Sequence, residues 1–107
     1  MIDRISALLA MLEKRPDDAR LRFGLAAEYE KAERWDDVIT QLRAYLEMTD
    51  DEGNAWGRLG AALRNVDRTD EALDAYTRGI DVAHRHGHPS MAAAFEDIIR
   101  DMGDSLE

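Results

Sequence analysis

The residues of this chain with the clearest capacity for chemistry are three histidines separated by single residues, His84, His86 and His88. Imidazole nitrogens bind zinc, copper or nickel, so a metal site is one interpretation of this spacing. However, Gly87 and Pro89 predict that a helix ends between the first and third histidine, and histidines at a helix C-terminus also interact favourably with its dipole. No acidic residue stands beside them at metal-ligand spacing, and we predict no metal site and no cofactor.

Runs of acidic residues could bind calcium or act as general acids, but each run falls at a predicted helix start, where carboxylates cap the helix and offset its dipole. These runs are residues 17–18, 36–37, 50–52 and 70–71. The run at 50–52 also lacks the ligand order of an EF-hand loop. The chain has no cysteine and no glycine-rich phosphate loop. We therefore predict that it is not an enzyme.

Composition narrows the class of protein. With 107 residues and 45% apolar residues, one small globular domain is expected. The net charge of -9 argues against binding to nucleic acid or to an anionic membrane, because both need a basic surface. The longest apolar run, residues 7–12, is far too short to span a bilayer, and no export signal is evident at the N-terminus. We expect a cytoplasmic protein.

The elements that position these residues are six predicted helices, each indicated by an apolar stripe with helical period. The first stripe is Ile5, Leu8, Leu9 and Leu12, and the last is Ala94, Phe95, Ile98, Ile99 and Met102. The first predicted helix covers residues 2–14, and Asp17 or Asp18 caps the second. The third starts near Trp35, the fourth after the turn at 49–53 and the fifth near Thr69. The sixth covers residues 89–104.

A 34-residue repeat relates the middle helices. The second copy carries Trp56, Leu59, Gly60, Leu63, Ala72 and Tyr76, and the matching residues 34 positions earlier are Arg22, Leu25, Ala26, Tyr29, Val38 and Leu42. This period is typical of helix pairs stacked in a row, which bury a continuous core between neighbours. Gly60 and Ala72 are small where the two helices of a pair are expected to cross.

On these residues the chain resembles the tetratricopeptide repeat family over about residues 4–86. The resemblance implies an all-α fold, a right-handed α-solenoid of stacked antiparallel helix pairs with about six helices. It describes a single domain, 1–107, made of an N-terminal helix resembling half a repeat (2–14), a first repeat (19–52), a second repeat (53–86) and a C-terminal capping helix (89–104). The first copy departs from the family pattern at Arg22, Ala26 and Val38.

In this family the first helix of each pair lines a concave groove that binds an extended or helical peptide. If the motif residues face the core, a second stripe on these helices faces the groove, and we predict that it binds the partner. The stripe comprises Arg20, Phe23, Ala27, Glu30 and Lys31 in the first pair, and Asn54, Gly57, Arg58, Ala61, Arg64 and Asn65 in the second. It combines a small or apolar floor with an excess of positive charge.

Arginines suit carboxylates, so we expect an acidic segment or a C-terminal segment of the partner as ligand, with an apolar side chain near Phe23 and space for it at Gly57. Two other interpretations stay open: Arg64 could pair with Asp67, and Phe23 could pack against the first helix. The family's best-known carboxylate clamp, in Hsp70/Hsp90 co-chaperones, uses lysines and asparagines. Ala27 and Ala61 stand where asparagine would be needed, so that role is not predicted.

The leading hypothesis is therefore a non-catalytic adaptor that binds a partner peptide in its groove. The alternative is a structural module that self-associates through the convex face or the stack ends. Polar residues on the outer sides of both terminal helices favour a monomer and count against the alternative. These residues are Asp3, Arg4, Glu13 and Lys14 in the first helix, and Glu96, Asp97, Arg100 and Asp101 in the last.

Overall fold

The computed structural model describes the backbone of residues 3–105 and the side chains of residues 3–103. This part of the chain forms six α-helices and no strand, as the periodicity predicts. The helices are α1 (Arg4–Lys14), α2 (Ala19–Lys31), α3 (Trp35–Met48), α4 (Asn54–Asn65), α5 (Thr69–Arg85) and α6 (Pro89–Ser105). The predicted start of the first helix, at Ile2, lies outside the described residues.

Acidic side chains accept hydrogen bonds at the starts of α1, α2 and α4, and two of these three come from the predicted acidic runs. The other two runs, at 36–37 and 70–71, lie in the first turns of α3 and α5, whose cap positions are Arg34 and Arg68. Asp3 Oδ1 accepts a hydrogen bond of 2.7 Å from the Ser6 backbone N–H, and hydrogen bonding to Ser6 lowers the pKa of Asp3. Asp18, and not Asp17, caps α2. The start of α4 is held by Asp51, whose Oδ2 accepts from the backbone N–H of Gly53 at 2.8 Å and of Ala55 at 2.9 Å.

The turns inside the two helix pairs have the same backbone form. Glu33, after α2, has φ 56° and Asp67, after α4, has φ 59°, both in the left-handed region, and the two are 34 residues apart. The next residue in each turn donates its N–H back to the helix, from Arg34 to Tyr29 O at 3.0 Å and from Arg68 to Leu63 O at 2.9 Å. The repeat in sequence is therefore also a repeat in turn geometry.

The contacts divide the chain into two compact units, Met1–Asp50 and Asp51–Glu107. The core of the first unit contains Leu25, Ala26, Val38 and Leu42, all fully buried on α2 and α3. In the same unit α1 packs on α2, with Leu8 methyl groups 3.9 Å from the point where a Gly24 Cβ would lie. Leu9 was predicted on the buried stripe but is 40% exposed, because α1 packs against α2 and its buried face is narrow.

The second unit contains α4, α5 and α6, and its core includes Leu59, Leu63 and Tyr76. Gly60 lies directly against Tyr76: a Cβ at Gly60 would come within 2.7 Å of the ring, so the small residue has the packing role that was expected. Trp56 is only half-buried, and the Arg78 guanidinium carbon lies 5.5 Å from its ring centroid.

Helix α6 buries the predicted stripe in part. Ala92, Phe95 and Met102 are buried, whereas Ala94 is exposed. The prediction failed at Ala94 because α6 packs on α5 through the side that carries Ala92, Phe95 and Met102. The four charged residues predicted on its outer face, Glu96, Asp97, Arg100 and Asp101, are all exposed.

Within the described residues, no helix combines the length and apolar character needed to cross a membrane. The assignment of the whole chain to one domain, and the repeat boundaries within it, stay predictions.

Candidate functional site

In the first unit, the predicted groove residues lie on one side of α2. Arg20 and Lys31 are exposed, and Phe23 and Ala27 are half-buried. The Phe23 ring packs against Tyr45 of α3, with centroids 4.9 Å apart and planes tilted by 47°. Phe23 thus has an aromatic partner in α3, and its packing against the first helix stays a prediction.

Part of the positive charge expected on this face of the first unit is compensated. Glu28 Oε2 lies 3.1 Å from Lys31 Nζ and 3.3 Å from Arg4 Nε. The hydrogen bond from Lys31 lowers the pKa of Glu28, and Arg4 contributes in the same direction. The sequence stripe did not include Glu28, so it overstated the positive potential of α2.

In the second unit, groove residues of α4 line an open apolar recess of about 310 Å³. Its lining residues are Asn54, Gly57, Arg58 and Ala61 of α4, Tyr76 of α5, and Met91, Phe95 and Ile98 of α6. Four of the predicted site residues are therefore brought together here. Helix α6 supplies much of the apolar wall, a contribution that the sequence did not predict because α6 departs from the 34-residue register.

Gly57 lines the recess, and its missing side chain also makes room for a ring of α6. A Cβ at Gly57 would come within 2.6 Å of the Phe95 ring, and one at Gly79 within 2.8 Å of the same ring. Phe95 is 9% exposed and also packs on Tyr76, with ring centroids 5.6 Å apart. The two glycines thus make room for a side chain of α6, and Gly57 and Phe95 both line the recess.

A second, polar recess of about 300 Å³ adjoins the first, and Ala61 lines both. Its other lining residues are Arg64 and Asn65, both exposed. Asn65 Nδ2 donates to the Ala61 carbonyl oxygen at 2.9 Å, so part of its amide is engaged with the helix backbone.

The Arg64 side chain hydrogen-bonds to Tyr76, the residue that also lines the apolar recess. Burial raises the pKa of the Tyr76 hydroxyl, while the charge and hydrogen bond of Arg64 act in the opposite direction. The described partner of Arg64 is therefore Tyr76, and not Asp67 as one interpretation of the sequence had it.

The histidines lie away from these recesses, at the turn between α5 and α6. The structure brings an acidic residue beside them that sequence spacing did not indicate: Glu52 Oε1 is 3.0 Å from His88 Nε2 and 3.8 Å from His86 Nδ1. His84 Nε2 is 4.0 Å from Glu96 Oε1. Among the described residues, no group of three or more potential ligands is arranged to hold a metal ion.

Part of the chain is similar in sequence to a class of receptor. A stretch of 63 residues is 36% identical to the peroxisomal targeting signal receptor of Candida albicans and a stretch of the same length 38% identical to that of Eremothecium gossypii. The match covers 59% of this chain but only 11% of each receptor, so the chain spans about a ninth of the length of these relatives. No family model matches the chain.

Solved structures extend the similarity to the whole chain. The solution structure of protein BPP2914 from Bordetella parapertussis aligns over 100% of this chain and 95% of its own, with a TM-score of 0.81 and 28% identity. A structure of MamA MSR-1 aligns over 96% of this chain and 67% of its own, with a TM-score of 0.66 and 19% identity, which indicates a shared fold. Together these similarities confirm the predicted repeat type and the all-α solenoid class. The handedness of the stack stays a prediction.

Proposed function

We propose that this chain, a helical-repeat protein of the tetratricopeptide type, is a non-catalytic interaction module that binds a segment of a partner polypeptide on the predicted groove residues of α4. The expected ligand is an acidic segment or a C-terminal segment of that partner. The curated relatives are named as receptors for a targeting signal, and the similarity to part of them supports a role in ligand binding. We place the protein in the cytoplasm as a monomer, without a nucleic-acid or membrane partner.

One observation carries this proposal: on α4 the predicted residues line two adjoining recesses, one apolar and one polar, that share Ala61. Ligand sites usually combine an apolar surface, which supplies affinity, with a few polar groups that fix orientation. Full burial of one aliphatic side chain stabilises a complex by ~1.5–3 kcal/mol, and we expect a dissociation constant on the order of 1 μM.

The chemistry of the recess residues supports binding and not catalysis. The ten residues that line the two recesses include no cysteine, serine, histidine or carboxylate, so they hold no nucleophile–base pair. Their polar members are arginine, asparagine and tyrosine, which donate hydrogen bonds to a ligand at neutral pH.

The test is a substitution that fills the shared recess wall. Ala61→Trp places a bulky ring on an exposed position of α4, and it should abolish binding on an array of acidic and C-terminal peptides. Ala93→Trp, the same change on an exposed part of α6 outside the recess lining, is the matched control and should bind as the wild type does. Equal binding by the two variants would contradict the proposed location.

Self-association is a second candidate function, and an observation in the first unit favours it. Leu9 is 40% exposed beside an open cavity of about 680 Å³ lined in part by Leu12, Pro16 and Arg22. Leu9, Ala10 and Leu12 line the same cavity, and contiguous exposed apolar surface is typical of protein contact surfaces. Sedimentation velocity at millimolar concentration tests this candidate: wild-type dimers that Leu9→Glu dissociates would support it, and a monomer at all concentrations would exclude it.

A further inference from the structure

We infer that the second unit binds a partner segment through one large apolar side chain and one neighbouring acidic side chain, which occupy the apolar recess and the polar recess that share Ala61. This inference rests on the proposed function and specifies the ligand of the same site. It assigns recognition of the acidic side chain to Arg64, and it gives α6 a direct role in binding through Met91 and Ile98.

The apolar recess has the size and the wall of a site for one large side chain. Its volume is about 310 Å³, near the lower end of the roughly 300–1,000 Å³ of ligand pockets. Rings of Tyr76 and Phe95 contribute to its wall, and the half-buried Met91 and Ile98 extend the wall on the side of α6. Because affinity here comes from apolar surface removed from water, leucine, methionine or phenylalanine suits the recess better than alanine does.

Arg64, which lines the polar recess, has no carboxylate partner among the described residues. Its described partner is the Tyr76 hydroxyl, which is neutral. By contrast, Arg78 of the same unit lies 3.2 Å from Asp74 Oδ2. A guanidinium group that donates to a hydroxyl keeps its full positive charge, and its remaining N–H groups suit a carboxylate. The polar recess therefore favours an acidic side chain of the ligand.

Tyr76 links the two recesses and is a positioning residue for Arg64. Tyr76 lines the apolar recess, while its hydroxyl accepts a hydrogen bond from Arg64. Arg64 and Asn65 follow Ala61 by three and four residues, so all three lie on one face of α4. A guanidinium group held by a hydroxyl loses less side-chain entropy on binding than a freely rotating one. The hydroxyl should therefore affect discrimination between acidic and neutral ligands.

The separation of the two recesses favours two neighbouring residues of the ligand over a single C-terminal residue. Arg64 does not line the apolar recess, and Ala61 lines both. A terminal carboxylate is bonded to the same Cα as the side chain beside it, whereas the side chain of a neighbouring residue starts from a Cα ~3.8 Å away. An acidic side chain therefore reaches a separate recess more readily than a chain end does.

The experiment is a fluorescence-anisotropy titration of the 107-residue chain with labelled peptides amidated at the C-terminus. Two acidic peptides carry Glu-Leu or Leu-Glu between glycine-serine linkers, which covers both chain directions. Their counterparts replace glutamate by glutamine or leucine by alanine, and a further peptide ends in Gln-Leu with a free carboxylate. We expect one acidic peptide to bind at least about threefold more tightly than its counterparts and the free-carboxylate peptide, because charge-assisted hydrogen bonds are stronger than neutral ones.

Four results would each overturn the inference. They are equal affinity for glutamate and glutamine peptides, equal affinity for leucine and alanine peptides, tightest binding of the free-carboxylate peptide, and no binding of either acidic peptide.

Three variants locate the effect on named side chains. Arg64→Gln should bring the ratio of glutamate to glutamine affinity close to one, and Tyr76→Phe, which keeps the ring, should lower it. Arg100→Gln removes the same charge from an arginine paired with Asp97 outside the recess linings, and it should leave the ratio unchanged. Circular dichroism checks that each variant is folded. A ratio that Arg64→Gln and Tyr76→Phe leave intact would contradict the assigned roles.

Charge reversal separates recognition from an effect on folding. Arg64→Glu should bind a peptide with lysine in place of glutamate more tightly than the glutamate peptide, an inversion that loss of structure does not produce. The glutamate preference of the wild type should also fall as NaCl is raised from about 50 mM to about 500 mM, because salt screens exposed charges. An unchanged preference in Arg64→Glu, or at high salt, would count against the inference.

Failure of the inference is distinguishable from failure of the proposed function. If Ala61→Trp abolishes binding of every peptide while the wild type binds glutamate and glutamine peptides equally, the location on α4 stands and only the acidic preference is wrong. If Ala61→Trp binds all peptides as the wild type does, the location itself is wrong, and both proposals fail together.

Discussion

The two units place aromatic side chains differently at positions that correspond in the 34-residue repeat. In the first unit these positions are Phe23 on α2 and Tyr45 on α3, whose rings pack against each other at 4.9 Å. In the second unit the corresponding residues are Gly57 and Gly79, and the ring of Phe95 from α6 fills the space that they leave. One unit thus supplies the aromatic volume from within its helix pair, and the other takes it from the next helix.

A second pair of corresponding positions follows the same principle. Ala26 and Leu42 of the first unit correspond to Gly60 and Tyr76 of the second, and all four residues are buried. The larger Tyr76 is accompanied by the smaller Gly60, because a Cβ there would lie 2.7 Å from the ring. Close packing therefore constrains the total volume of a contact, and the two copies distribute that volume differently between the residues that share it.

Removal of the Phe95 ring should have the largest effect. Phe95→Ala leaves a cavity against Gly57 and Gly79 and should lower the free energy of unfolding by ~3–5 kcal/mol. Phe23→Ala is the matched change in the first unit, and it should cost less because that ring is only half-buried. Urea denaturation with hydrogen exchange measures both. A larger cost for Phe23→Ala would contradict the difference between the units.

Addition of one carbon at Gly60 should have the next largest effect. Gly60→Ala forces the Tyr76 ring to move, at a cost of ~1–3 kcal/mol that the better helix propensity of alanine offsets by ~1 kcal/mol. The double variant Gly60→Ala, Tyr76→Leu recreates the Ala26–Leu42 combination. It should be more stable than the sum of the single changes predicts, by at least ~0.5 kcal/mol in a double-mutant cycle. Strict additivity would show that the pair is not coupled.

The helix caps provide a smaller comparison. Asp18 Oδ1 accepts from the backbone N–H of Arg20 at 3.0 Å and of Leu21 at 3.4 Å, whereas the two bonds to Asp51 at the start of α4 are shorter. Replacing either aspartate by alanine should cost ~1 kcal/mol, and Asp51→Ala should cost more. Thermal unfolding followed by circular dichroism compares them, and asparagine at each position, which keeps the acceptor oxygen, should recover most of the loss.

The smallest expected difference is in pH dependence. The pKa of Glu28 in the first unit is lowered, so its contribution to stability is present above the unfolded value and lost as pH falls through the folded value. The pKa of Tyr76 in the second unit is raised, so its contribution is present below the unfolded value of about 10 and lost as pH rises through the folded value. Glu28→Gln should therefore reduce the acid sensitivity of the melting temperature, and Tyr76→Phe its alkaline sensitivity. Melting curves between pH 2 and 11 measure both effects. A change in alkaline sensitivity for Glu28→Gln, or in acid sensitivity for Tyr76→Phe, would contradict these signs.

Much of the fold follows from local sequence signals. Local signals predict helix bounds that agree closely with the observed ones, because each signal acts within a few residues of its own position. These signals are the apolar periodicity, Pro16, the acidic caps and Gly87. The family motif also predicts the buried positions of Leu59 and Gly60. The predicted burial of Leu9 and Ala94 was wrong. Their exposure depends on how many helices pack against α1 and α6, and not on the apolar period within either helix.

The site was less accessible to sequence reasoning for the same reason. Sequence predicts which residues share a face of α4, but the contribution of α6 and the pairing of Glu28 with Arg4 of α1 depend on contacts between helices. One signal could have indicated the role of Phe95: the change from Phe23 and Tyr45 to Gly57 and Gly79 across the repeat removes two rings. Such a paired loss of volume predicts that a third side chain fills the space.

The left-handed turns at Glu33 and Asp67 have a consequence for engineering. Residues other than glycine, asparagine and aspartate occupy this backbone region at a cost of roughly 1–2 kcal/mol, so Glu33 holds more conformational energy than Asp67. A synthetic array built by concatenating 34-residue copies would multiply that cost with every copy based on residues 19–52, and would avoid much of it with copies of 53–86. The second copy is accordingly the better template for designing longer proteins.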